Sequence, residues 1–157
     1  SDGGYGFSTE YNVGVVAKLG LPLVPITPKA YFLYHSLFGT GDYDNVDGIE
    51  YAQTISELGI GAEYNFIPVP AGFDPYVAID IHYNSFSALE MDASEVPNTK
   101  ANRFGGGIGV GTEISLIPII NIEVYATYKM FNLIGKEDGE ENVTAFVLDA
   151  FIMFSFL

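Results

Sequence analysis

Two histidines are the residues of this sequence best suited to acid–base or metal chemistry. His82 lies two residues from Asp80, a spacing that places both side chains on one face of a β-strand. A metal-binding or catalytic pair is one interpretation, but we favour a histidine that is hydrogen-bonded inside the protein. His35 and Ser36 are adjacent and would point to opposite faces of a strand, which argues against a Ser-His-acid hydrolase. We therefore expect no enzyme activity and no cofactor.

Acidic side chains cluster between residues 42 and 50. Calcium is a hard cation that binds several carboxylate oxygens, so this segment suggests a calcium site. Its spacing does not match an EF-hand loop, because Val46 occupies the fifth position, where an oxygen ligand belongs. We expect a solvated acidic loop, with weak surface calcium binding as the alternative. The candidate calcium ligands are Asp42, Asp44, Asp47 and Glu50.

The composition excludes several classes of protein. The 157 residues suffice for one domain, which we expect to span the whole chain. Twenty acidic and six basic residues give a net charge of −14, which argues against nucleic acid as a partner because the phosphates would be repelled. The sequence has no cysteine, so disulfides and thiolate metal sites are excluded. No apolar run approaches the roughly 18 residues that a membrane-spanning helix needs.

Apolar and polar residues alternate along most of the chain. From Tyr5 to Gly20 the odd positions are mostly bulky and apolar, while the even positions are mostly small or polar. A helix has 3.6 residues per turn and cannot produce this two-residue period, so the pattern predicts a β-strand. The same pattern predicts seven strands, at residues 5–20, 29–38, 54–66, 76–85, 102–116, 120–131 and 145–156.

The connections between the predicted strands are of two kinds. Short, apolar connections that contain proline lie at residues 21–25, 67–72 and 117–119. Long, polar and acidic connections lie at residues 39–50, 87–100 and 132–142. Sequential hairpins of this sort predict an up-and-down antiparallel meander, with all short turns at one end and all long loops at the other.

Side-chain size indicates which face of the meander points inward. The bulky apolar face has more volume than the interior of a barrel of about eight strands can hold. The opposite face carries four alternate glycines from Gly105 to Gly111, which suit a narrow interior better than a solvent-exposed strand. Apolar residues outside and small or charged residues inside are typical of a barrel surrounded by lipid. The sequence therefore predicts an all-β, up-and-down antiparallel β-barrel of the transmembrane type, with about eight strands.

Charged residues of both signs lie on the face predicted to line the interior. We expect them to form paired networks, because an unpaired ion in a confined interior is costly. A barrel filled in this way conducts poorly or not at all. This predicted interior network comprises Lys18, Lys29, Glu57, Glu63, Asp80, Arg103, Glu113, Glu123, Lys129 and Asp149. Aromatic residues near the strand ends, including Phe86 and Phe131, predict girdles at the membrane interfaces.

The last predicted strand carries outward-facing residues at every second position from Phe146 to Phe156. It is similar to the closing strand of small bacterial outer-membrane β-barrels of the OmpA/OmpX type, and the resemblance covers essentially the whole chain. That family usually ends on an aromatic residue, whereas this sequence ends on Leu157. The resemblance implies an outer-membrane or cell-surface location, lipid or detergent as the surroundings, periplasmic proline turns and extracellular acidic loops.

An odd strand count departs from the even count usual in such barrels. Three explanations remain open: parallel closure, a missed short strand, or an eighth strand supplied by a neighbouring copy. The glycine-rich segment from Ser1 to Thr9 is a candidate for such a donated strand.

Three functions follow as expectations from this fold. The first is a non-enzymatic structural barrel with a largely plugged interior and acidic surface loops. The second is a self-assembling subunit of a surface filament or array, with the N-terminal segment donated to a neighbour. The third, a soluble barrel that binds a lipophile, would require an exterior made of glycine rows.

Overall fold

The alternating sequence is realised as antiparallel strands. A computed structural model of the chain describes residues 9–21, 24–43, 46–65, 73–92, 94–95, 97, 99–117, 120–137, 139 and 142–154. The strands are β1 (Thr9–Lys18), β2 (Ile26–Tyr43), β3 (Val46–Asn65), β4 (Phe73–Phe86), β5 (Glu90–Met91), β6 (Ser94–Glu95), β7 (Ala101–Ile117), β8 (Ile120–Ile134) and β9 (Thr144–Phe154). Among these residues, no helix is long and apolar enough to cross a membrane.

All nine strands belong to one strongly curled, barrel-like sheet. Its seven long strands follow the order β1-β2-β3-β4-β7-β8-β9, and each pairs antiparallel with the next. The short strands β5 and β6 form a hairpin, and β5 pairs with β3 beyond the end of β4. The prediction of an all-β, up-and-down antiparallel fold is confirmed.

The two ends of the sheet, β1 and β9, approach each other without pairing. Six successive antiparallel pairings make β1 and β9 run in the same direction. Within the described residues, no Cα atom of β1 lies within 8 Å of a Cα atom of β9. The gap is bridged on the inner side, where Asn12 Nδ2 donates a hydrogen bond of 2.7 Å to Asp149 Oδ1.

Two of the segments predicted as acidic loops contain strand residues. Residues 39–50 were predicted as a loop, but β2 continues to Tyr43 and β3 starts at Val46. Residues 87–100 were also predicted as a loop, and they contain β5 and β6. Ile49, Tyr51 and Leu89 are buried together at this end, so a small second core stabilises the extended hairpin.

The two faces of the sheet differ sharply in chemistry. Large apolar side chains on the outer face are exposed, for example Ile79, Ile108 and Leu148. Ionisable side chains on the inner face are buried, for example Glu57 and Asp80. Successive residues of a strand point to opposite faces, so the alternation in the sequence separates the two sets.

The glycines of the inner face make room for flat side chains from neighbouring strands. A Cβ atom on Gly59 would overlap the ring of Tyr31, its partner on β2. One on Gly105 would overlap the ring of His82, its partner on β4. The narrow interior is therefore filled by aromatic and imidazole rings lying over glycines, which fixes the position of these rings.

Candidate functional site

The buried charged interior is the candidate functional site. All seven long strands contribute to it, because the sheet curls until residues distant in the sequence meet inside. Charged residues come from β1 (Lys18), β2 (Lys29), β3 (Glu57 and Glu63), β4 (Asp80), β7 (Arg103 and Glu113), β8 (Glu123 and Lys129) and β9 (Asp149). Among the acidic residues of this set that form ion pairs, Glu113 has the most exposed side chain, at 27%.

A turn-side cluster, consisting of Lys18, Glu63, Glu113 and Glu123, lies near the end with the short connections. The Nζ atom of Lys18 lies 2.8 Å from Glu63 Oε2 and 2.7 Å from Glu123 Oε1. A third carboxylate, Glu113, is 3.7 Å from the same nitrogen. Tyr76 donates its hydroxyl hydrogen to Glu123. One lysine on β1 thus ties together β3, β7 and β8, which are not its neighbours in the sheet.

A histidine cluster, consisting of His35, Glu57, Asp80, His82 and Lys129, lies deeper inside. Glu57 is completely buried, and its Oε2 atom is 2.8 Å from His35 Nε2. Its other oxygen accepts a hydrogen bond of 2.7 Å from Lys129 Nζ. Asp80 and His82 lie on the same face, as their spacing predicts, with Asp80 Oδ1 3.8 Å from His82 Nε2.

Lys29 extends the turn-side cluster. Its Nζ atom lies 3.5 Å from Glu63 Oε1 and 4.1 Å from the centre of the Tyr125 ring. An ammonium group over an aromatic face is attracted by the ring, and more strongly where water is excluded. Opposite charges, hydrogen bonds and aromatic rings therefore compensate the buried ions Lys18, Lys29, Glu57 and Lys129, as buried charges require.

An apolar cap, consisting of Leu37, Ile55, Phe86 and Phe131, closes the interior on the side of the long loops. The Phe131 ring packs edge-on against the rings of His35 and His82, with centroid distances of 5.4 and 5.8 Å. Phe86 and Phe131 were predicted for an interfacial girdle, and the structure places them inside. The alternation already contained this signal, since each has the parity of the inward residues on its strand.

Other predicted charged residues lie outside the two clusters. Arg103 is at the loop end, where its guanidinium group lies 3.7 Å from the exposed carboxylate of Glu137. Asp149 accepts the hydrogen bond from Asn12 that bridges β1 and β9. The interior network is thus two clusters with separate outlying residues, a division that the sequence did not reveal.

The predicted calcium segment is described only in part. The side chains of Asp42, Asp44 and Asp47 lie outside the described residues. Glu50 is exposed on β3, where its backbone N–H donates a hydrogen bond of 3.2 Å to Asp92 Oδ1. The alternative of weak surface calcium binding stays a prediction.

The structure is that of an all-β, barrel-like protein with an apolar exterior and a charged, buried interior. Comparison with models of known protein families, with curated protein sequences and with solved structures gives no match.

Proposed function

We propose that this chain is a non-enzymatic structural β-barrel of the bacterial outer membrane, with lipid against its outer face and acidic loops at the cell surface. The observation that carries the proposal is the distribution of side chains between the two faces. Large aliphatic residues are exposed while carboxylates and ammonium groups are buried. In water the opposite distribution is stable, because burying an apolar side chain contributes about 1.5–3 kcal/mol.

The exposed apolar residues form a continuous surface across neighbouring strands. Ile60 on β3 is paired in register with Ile81 on β4, and Ile79 on β4 with Ile108 on β7. All four side chains are exposed. A contiguous apolar surface of this kind is rare on soluble monomers and marks contact with a membrane or another protein.

Strand length supports a membrane-spanning role. A β-strand needs about 9–11 residues to cross the hydrocarbon core of a bilayer at a tilt of about 45°. The shortest of the seven long strands, β1, has 10 residues, and β9 has 11. Each long strand therefore has the required length.

A filled interior favours a structural role over a pore. Ion pairs occupy the two clusters, and the apolar cap covers the histidine cluster on the loop side. Water and ions moving along the interior would have to separate paired charges and pass the cap, which is energetically unfavourable.

The test is the behaviour of the folded chain with and without detergent. We expect it to enter the detergent phase on phase separation and to fold into phospholipid vesicles, where its strands become protected from protease. A monodisperse, folded monomer in detergent-free buffer would overturn the proposal, because an apolar exterior of this extent cannot remain dispersed in water.

The gap between β1 and β9 favours a second candidate, a self-assembling subunit. Among the described residues, neither edge has a further strand paired to it, and the two edges run in the same direction, so one antiparallel strand would pair with both. In lipid, unpaired backbone groups cost several kcal/mol each, which favours an added strand. The predicted donor segment, Ser1 to Thr9, lies outside the described residues except for Thr9. Deletion of residues 1–8 should abolish assembly in light scattering, and unchanged assembly would contradict donation.

A further inference from the structure

We propose that the protein binds one borderline divalent cation such as Zn²⁺ between His82 and Asp80, with Glu57 as a third ligand. Each of these residues offers one nitrogen or oxygen atom, and the three atoms lie within 4.8 Å of one another. All three side chains are buried on the inner face of the sheet. The proposal depends on this interior alone, whether lipid or water surrounds the protein.

The hydrogen bonds of His82 leave one ring nitrogen available to a metal. The amide nitrogen of Asn84 donates to the backbone oxygen of Phe131, so the amide oxygen of Asn84 acts as an acceptor. That oxygen lies 3.0 Å from His82 Nδ1, which must therefore carry the proton. In the neutral imidazole, His82 Nε2 then holds the lone pair, and it has no hydrogen-bond partner among the described residues.

Asp80 carries a second available atom, on a carboxylate whose Oδ1 lies 3.8 Å from His82 Nε2. Its Oδ1 atom accepts a hydrogen bond of 2.8 Å from the hydroxyl group of Tyr31. Its Oδ2 atom has no hydrogen-bond partner within the described part of the chain. Buried nitrogen and oxygen atoms that carry lone pairs without a hydrogen-bond donor are costly, and a cation bound to both residues removes that cost. The glycine at position 107 leaves the space, since a Cβ atom there would lie 2.9 Å from Asp80 Oδ2.

The surrounding residues resemble the outer shell of a metal site. Ligating histidines usually donate their second ring nitrogen to an oxygen, as His82 does to Asn84, and ligating carboxylates are themselves hydrogen-bonded, as Asp80 is to Tyr31. Imidazole and carboxylate together form a donor set typical of zinc, in which water supplies the remaining position.

The charge of the interior also favours a divalent cation. The predicted interior network has six acidic residues and four basic residues, which leaves two negative charges uncompensated. Glu57 already pairs with Lys129, whereas Asp80 has no ion pair of 4.0 Å or less with a lysine or arginine among the described residues. One Zn²⁺ would balance the excess and bind where compensation is lacking.

The first experiment measures metal bound to the folded chain. The protein is folded in detergent or vesicles with Zn²⁺ or Co²⁺, passed over a desalting column and analysed by mass spectrometry of the metal. We expect one metal ion per chain. We also expect visible absorption bands for the Co²⁺ form, which report nitrogen and oxygen ligands in low symmetry. A chain without bound metal and without these bands would overturn the proposal and indicate that water occupies the space.

Variants assign the ion to this place. His82→Gln and Asp80→Asn should each lower the affinity for Zn²⁺ by at least about 100-fold, and Asn84→Ala by about 10-fold to 100-fold. The matched control is Tyr125→Phe, which removes another buried oxygen without a hydrogen-bond partner in the described interior. It should leave the affinity unchanged. Equal affinity in all four variants, each verified as folded by circular dichroism, would place the ion elsewhere and overturn the assignment.

Discussion

Lysine substitutions on the outer face test directly whether that face meets lipid or water. Ile79 lies in the middle of β4, whereas Ile134 is the last residue of β8, and they are 63% and 64% exposed. In lipid, Ile79→Lys places a charge near the bilayer centre and should lower the free energy of unfolding by about 2–4 kcal/mol. Ile134→Lys lies near the interface and should lower it by about 0–1 kcal/mol. In water, each substitution at such exposed positions would stay within about 0.5 kcal/mol.

The measurement is reversible denaturant unfolding in phospholipid vesicles. The chain has no tryptophan, so far-ultraviolet circular dichroism follows the loss of strand structure. The two variants should differ by about 2 kcal/mol, a factor of about 30 in the unfolding equilibrium constant. Because the replaced residue and its exposure are the same in both, the difference reports depth in the membrane. Equal unfolding free energies would refute the assignment of the outer face to lipid.

Three further predictions concern the interior. Glu57→Gln leaves Lys129 without its buried partner and should lower the free energy of unfolding by about 3–5 kcal/mol, and adding Lys129→Met should restore part of that loss. Gly59→Val overlaps the tyrosine ring opposite and should cost about 1–3 kcal/mol by denaturant unfolding, whereas Gly20→Val, with no atom within 4 Å of its added Cβ, should cost less than about 0.5 kcal/mol. Phe131→Ala opens the apolar cap, so it should raise single-channel conductance in planar bilayers above that of the unaltered chain; equal conductance would show that the cap does not seal the interior.

The strands and the direction of their side chains could be predicted, because both depend on a local two-residue alternation. The inward or outward direction of a side chain follows from odd or even position once one residue of the strand is placed. Glu57 and Leu58, for example, fall on the buried and exposed faces respectively. The prediction from this period missed strand residues where the chain continued to alternate into a segment rich in acidic and glycine residues. There β2 continues to Tyr43 and β3 begins at Val46, because Ile49 and Tyr51 pack against the β5–β6 segment.

The partners inside the sheet could not be predicted from the sequence. Lys18 and Glu123 are 105 positions apart, and they meet because β1 and β8 curl toward each other across the interior. Which acid pairs with which base depends on the height of each residue along the barrel and on the curvature of the sheet. Neither the height of a residue nor the curvature of the sheet produces a local pattern in the sequence. The pair of Asp80 and His82 is the exception, because both belong to one strand and their spacing alone places them side by side.

The two faces of the sheet depend on each other. A strand that directs its aliphatic residues outward gains little from burial in water, and under the proposed function lipid provides the apolar surroundings. The same strand directs its charges inward, where they are stable only if partners from distant strands reach them. Lys18 and Lys129 make such contacts with carboxylates on β3, and Lys18 also reaches β8. The curling of the sheet that brings the interior charges together therefore also turns the apolar face outward, so the ion pairs and the proposed lipid surroundings would stabilise the same curvature.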